Sequence, residues 1–184
     1  MNGERALVTV GHGTLEADAL ARLLLDAGVT HVVDVRAHPG SRRHTQFARA
    51  AMEQWLPAAG IDYRWEPDLG GRRRAATTSR NVALTNASFR AYADYMETDT
   101  FTSALDLLVE GARAERSVVM CAESLWWRCH RRLIADAVVL RRSFAVEHLF
   151  HDGKLVAHAP TPVARLDADV LVYDAGAEPL GLDD

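Results

Sequence analysis

Apolar residues come in short blocks along this chain, and between the blocks they recur with helical spacing. "ALVTVGHG" reads as a first strand ending in the turn Gly11-His12-Gly13. "LEADALARLLLDAG" reads as a helix, with Leu20, Leu23 and Leu24 on one face and Gly28 as its stop. "HVVDVR" is a second strand, and its near-continuous apolar core predicts burial on both faces. After the loop "HPGSRR", the stretch "TQFARAAMEQWLPAAG" predicts a helix interrupted near Pro57 and closed by Gly60. "IDYRW" is a third strand, followed by the loop "EPDLGGRRRAATTSRN". "ASFRAYADYMET" and "TFTSALDLLVEGARA" predict a helical pair. "SVVMCA" is a fourth strand, "LWWRCHRRLIADAVVLRR" a long helix and "AVEHLF" a fifth strand. "HDGK" is a turn, with "LVAHA" returning as a hairpin arm. Past Pro160 and Pro162 the patterning fades, and only "VLVYD" reads as a strand.

Strands alternating with helices predict an α/β fold. The expected form is a single-domain, mostly parallel, Rossmann-like sheet of about five strands flanked by helices on both faces. Residues 1–160 read as that domain. Residues 161–184 read as an acidic C-terminal tail, because Leu166 to Asp184 hold six acids and no base.

Composition narrows the class without naming a function. The chain has 184 residues, 48 % hydrophobic and 25 % charged, which suits one soluble domain able to bury its own core. Its two cysteines make no disulfide framework, so a reducing, cytoplasmic home is expected. No leader pattern and no apolar run long enough to span a bilayer is seen, so no membrane partner is expected. Net charge is −4, yet 20 of the 21 basic residues are arginine. They cluster as Arg36 with Arg42 and Arg43, Arg72 to Arg74 with Arg80, and Arg128 with Arg131 and Arg132. Such clusters are either solvated faces or sites for phosphate and carboxylate.

In parallel sheets ligands bind beyond the carboxyl ends of the strands, and the chemistry-bearing residues fall there. His12 follows the first strand, Asp34 and Arg36 end the second, and Ser41, Arg42 and Arg43 come next. Gly70, Gly71 and Arg72 follow the third, and Cys121 and Glu123 end the fourth. At a strand-to-helix junction Cys121 is either an activated thiol or a small hydrophobe closing a buried strand. Cys129, in step with Trp126, Leu133, Ala137 and Leu140, reads as a helix residue facing the core. His130 is an acid, a base or a packed ring, and Glu123 holds a helix start or orients the histidine. The C-x₇-C-H spacing of Cys121, Cys129 and His130 is not that of a structural zinc site, so no metal or other cofactor is expected. Walker, dinucleotide-glycine and serine-hydrolase patterns are absent.

The chain resembles the "domain of unknown function 488" family from about Val8 to Phe150. The likeness rests on "VGHGT", "VVDVRAHPGSRRHTQF", "DLGGRRR", "NASFRAYADYMET" and "CAESLWWRCHRRLIAD" in order. It implies a compact α/β domain of unassigned activity. The family's motif positions fall on His12, Asp34, Arg36, Ser41, Gly70, Gly71, Cys121, Glu123, Cys129, His130 and Arg131. Two features depart from the family's habit: Gly13 intervenes before Thr14, and Trp126-Trp127 stand where a proline often precedes Cys-His-Arg. "VVDVR" with a cysteine after a strand is also similar to rhodanese-type sulfurtransferases. "RCHR" is similar to the nucleophile motif of DNA alkyl-transfer repair proteins.

Two functional readings follow. In the first, the chain is a cysteine-dependent transferase or hydrolase acting on a small anionic or phosphate-bearing substrate. Cys121 is then the nucleophile or redox thiol, Glu123 and His130 are its partners, Cys129 is the second thiol, and Arg36, Arg42, Arg43 and Arg131 hold the anion. In the second, the arginine loops and Trp126 or Trp127 form a nucleic-acid-binding or repair-like module.

Overall fold

The computed structural model describes residues 5–40 and 44–174. Its centre is a six-stranded sheet in the order β3-β2-β4-β1-β5-β6. These strands are β1 (Leu7–Gly11), β2 (His31–Asp34), β3 (Asp62–Trp65), β4 (Ser117–Cys121), β5 (Val146–Leu149) and β6 (Leu155–Ala157). The first five lie parallel, and β6 returns antiparallel along β5 as the expected hairpin arm. The α/β expectation holds.

Crossovers α1 (Ala17–Asp26) and α2 (Arg49–Ala58) cover one face, while α3 (Ala87–Tyr95), α4 (Asp99–Ala114) and α5 (Arg131–Arg142) cover the other. The split follows from direction. The chain moves toward the β3 edge through β1, β2 and β3, then reverses to insert β4 and add β5. Right-handed crossovers must change face at such a reversal. Side-chain alternation then sorts the core: Val8, Val10, Val118 and Met120 pack with Leu20, Leu24, Met52 and Leu56. Leu7, Val33 and Val119 pack on the opposite face with Phe101, Leu105 and Leu133.

Pro57 falls at the penultimate position of α2, so the helix runs past it to Ala58, and a separate 3₁₀ turn, Thr45–Phe47, precedes it. The segment read as an acidic tail carries an antiparallel pair, β7 (Ala164–Asp167) and β8 (Val170–Tyr173). Leu171 and Tyr173 of this pair are buried in the α3–α5 core. Two of the tail's acids are engaged there: Asp167 pairs with Arg80, and Asp174 accepts both forks of Arg165 at 2.9 and 2.5 Å. No helix among the described residues is long and apolar enough to cross a membrane.

Candidate functional site

β4 ends at Cys121, and the helix expected from Leu125 does not begin there. The stretch 122–130 forms a loop with a 3₁₀ turn at Trp126–Arg128, and α5 starts only at Arg131. The reason is where Trp126 packs. Its ring lies flat on His148 of β5, centroids 3.9 Å apart at 4°, instead of joining the core face of the helix. Cys129 is therefore not in the first helical turns; it has extended backbone just before the helix, with His130 as the N-cap.

Three close approaches hold this loop over the sheet. Strand-like pairing continues past β4, with the His12 and Gly13 amides donating to the Cys121 and Ala122 carbonyls at 2.9 and 3.0 Å. At Gly11 a Cβ would sit 1.8 Å from the Glu123 carbonyl oxygen, so the glycine is what lets the loop cross β1. Arg131, only 1 % exposed, donates from its terminal nitrogen to that same carbonyl.

The loop brings both thiols and one imidazole together: the Sγ atoms of Cys121 and Cys129 and a ring nitrogen of His130 lie within 4.8 Å of one another. His130 faces the Val35 carbonyl with Nε2 at 3.1 Å, which makes Nε2 the protonated donor. Its Nδ1 then faces Cys129 Sγ at 3.6 Å, where the neutral ring accepts from the thiol and the protonated ring donates to the thiolate. Tyr92 stands edge-on to this ring at 5.1 Å, fixed by its own hydroxyl on the Leu69 carbonyl, and Gly71 leaves it room. Arg131 donates its Nε–H to Cys129 Sγ at 3.4 Å.

These contacts treat the two thiols oppositely. A hydrogen bond from Cys121, then His130 and Arg131, outweigh burial and pull the Cys129 thiol well below the ordinary range. The hydrogen bond given to Cys129, reinforced by burial, pushes the Cys121 thiol well above it.

Both cysteines open onto a cavity of about 570 Å³ at the strand-end rim, also bounded by Arg72, Arg128, Phe89 and Tyr92. Among the described residues neither the Arg72 nor the Arg128 guanidinium makes an ion pair or hydrogen bond, and both residues are exposed. Arg72 follows Gly70 and Gly71 with φ +60°, a left-handed backbone that is uncommon for arginine.

The other expected site residues divide. Asp34, Arg36 and His12 form a separate buried cluster toward the α1–α2 side. Arg36 reaches the cavity wall, but its guanidinium donates to Asp34 at 2.8 and 2.5 Å and to the Phe47 carbonyl at 2.8 Å, so its fork is already filled. Asp34 also accepts from the Tyr63 hydroxyl at 2.8 Å. His12 stacks on Phe47, and burial and Arg36 lower it to about 4. Gly70 lets the loop after β3 pack on Ala37, its missing Cβ standing 3.1 Å from that Cα. Glu123 lines the cavity, yet its carboxylate accepts from the Leu125 amide; the Val35 carbonyl, not Glu123, orients His130. Arg131 is turned inward onto Cys129 rather than out to a ligand. Ser41, Arg42 and Arg43 lie outside the described residues. Of the tryptophans, Trp126 is committed to His148, while Trp127 is 42 % exposed.

Sequence reading missed Val35, Tyr92 and Phe89 as site residues. A carbonyl carries no sequence signal, and two aromatics in a helical period look like core. A metal would meet Cys121, Cys129 and His130 as its ligand set, with the Val35 carbonyl on the far ring nitrogen.

The fold and this rim define a doubly covered parallel α/β protein with a dithiol–imidazole cluster beyond its strand ends. Residues 16–138 match the family model described as "Domain of unknown function DUF488". The chain belongs to that family. No curated protein and no solved structure matches it.

Proposed function

We propose that the chain is a thiol-dependent enzyme that attacks a small anionic substrate with the Cys129 sulfur. The observation that carries this reading is the convergence on Cys129 Sγ of the His130 ring nitrogen and the Arg131 Nε–H, beside an open cavity. An inert structural cysteine has no need of a buried guanidinium donating to it. A thiolate does, because burial alone would disfavour its charge. His130, held by Val35, is the base that takes the thiol proton at Nδ1 and the acid that can return it to a leaving group. Arg72 and Arg128, without partners among the described residues, are the groups left to draw in an anion. Cys121 keeps its proton and donates to the neighbouring sulfur, so the roles of the two cysteines are the reverse of the sequence expectation.

The test compares an anionic and a neutral alkylating agent on the native protein. Relative to their ratio on free cysteine, iodoacetate gains over iodoacetamide at Cys129 by roughly tenfold, and Arg72→Ala with Arg128→Ala removes the gain. Equal treatment of the two reagents by the unsubstituted protein would sink the anion-binding half of the reading. Failure of both to label Cys129 before unfolding would sink the whole.

A further inference from the structure

In the scheme above the second thiol only donates a hydrogen bond to Cys129, a task that a hydroxyl would perform as well as a sulfur. A single activated thiolate suffices for alkyl or acyl transfer. One class of chemistry does require a second sulfur within reach: exchange with a disulfide, where the first cysteine is trapped as a mixed disulfide until another thiol releases it.

Resting on the thiolate reading above, we propose that Cys129 and Cys121 act as attacking and resolving thiols in dithiol–disulfide exchange with a small carboxylate-bearing organic disulfide bound in the rim cavity. The two Sγ atoms lie within 4.8 Å, both on the cavity wall. Closing them to about 2 Å is a matter of side-chain rotation and a small shift at Trp127 and Arg128. Both are exposed and lie between the anchored Trp126 and Cys129. Neither cysteine is paired in the structure, so the dithiol form is the one described. Arg72 and Arg128 supply the countercharge for carboxylates, and Phe89 and Tyr92 an apolar wall for the substrate's carbon chain.

The steps balance. The Cys129 thiolate attacks one sulfur of the substrate, forming a bond to it while the substrate S–S bond breaks and the other half leaves as a thiolate. Cys121 then loses its proton and attacks Cys129 Sγ, forming the Cys121–Cys129 disulfide and expelling the second half as a thiolate. The proton that His130 took from Cys129 and the one that Cys121 loses pass to the two departing thiolates. The protein is oxidised by two electrons, and one disulfide is reduced to two thiols.

Oxidised glutathione is the probe, added to the reduced full-length chain, with released thiol and protein mass both followed. The unsubstituted protein releases both halves, loses two hydrogens and retains no glutathione. Cys121→Ser retains one glutathione on Cys129, and Cys121→Ala does the same, which separates the trap from any effect of the serine hydroxyl. Cys129→Ser reacts at least about tenfold more slowly. If the unsubstituted protein holds its glutathione as stably as Cys121→Ser, the resolving role is refuted while the thiolate stands. If glutathione never reacts although iodoacetate still labels Cys129, the disulfide class is refuted and the thiolate again stands. If neither reagent finds Cys129, both readings fall together.

Discussion

His148 has both ring nitrogens engaged inside the protein. Its Nδ1 accepts from Thr9 at 2.7 Å, its Nε2 donates to His158 at 2.9 Å, and His158 in turn donates to Asp136 at 2.9 Å. Burial, followed by the neighbouring His158, lowers His148 to about 3, and burial with Arg36 lowers His12 to about 4. An unfolded histidine takes its proton near 6.5, so below that pH the unfolded chain binds more protons and stability falls as the solution is acidified. The loss from these residues runs from pH 6.5 down to about 4 for His12 and about 3 for His148. The urea midpoint should drop between pH 7 and pH 5 by an amount equivalent to about 2–4 kcal/mol. His12→Asn keeps the donation to the Gly13 carbonyl and should lower the slope by about one proton. An unchanged slope in that variant would show that His12 is protonated normally in the folded protein.

At the scale of elements, the decisive piece is the loop between β4 and α5. Gly11 permits it, Trp126 anchors it, and Arg131 ties it down, so its shape depends on contacts with β1, β5 and its own following helix. Gly11→Ala should leave the sheet intact, because Gly11 closes β1. It should displace the Glu123 carbonyl and separate the two thiols. The expected result is native far-ultraviolet circular dichroism with Cys129 alkylation slowed by about tenfold; an unchanged rate would mean that the loop's position does not matter to the thiol. These contacts also explain what the sequence could and could not reveal. The alternation of strand and helix was legible because it lies in local apolar periodicity, as in "SVVMC" and "ARLLLD". The start of α5 was not, because Trp126 and Cys129 share the spacing of Leu133 and Ala137, and only a partner from a distant strand takes Trp126 off that face. The strand β7 was hidden for a similar reason: "ARLD" carries little pattern of its own and is defined by pairing with β8.

At the scale of the whole molecule, the strand ends do converge, but the period-2 alternation of the sheet divides what they bring. Asp34 lies toward α1 and α2 with Arg36 and His12, where the ion pair stitches β2 to the 3₁₀ turn and α2. Cys121 lies toward α3–α5, where Cys129, His130 and Arg131 meet it. The sequence brings all of these to one rim; which side of the sheet each group joins depends on side-chain parity plus the irregular loop. The family match spans both groups, since residues 16–138 include Asp34 and Arg36 as well as Cys121, Cys129 and His130.

The central claim is that the fold places a thiolate on Cys129 and keeps a proton on Cys121. The measurement that tests it most directly is the rate of alkylation of each cysteine against pH, read by peptide mass spectrometry on the native protein. Cys129 should react at a rate that stays flat from pH 8 down to well below the ordinary thiol range and falls only at more acid pH, while Cys121 should stay slow until well above pH 9. Parallel curves rising together near the ordinary thiol value, or a faster Cys121, would contradict the account.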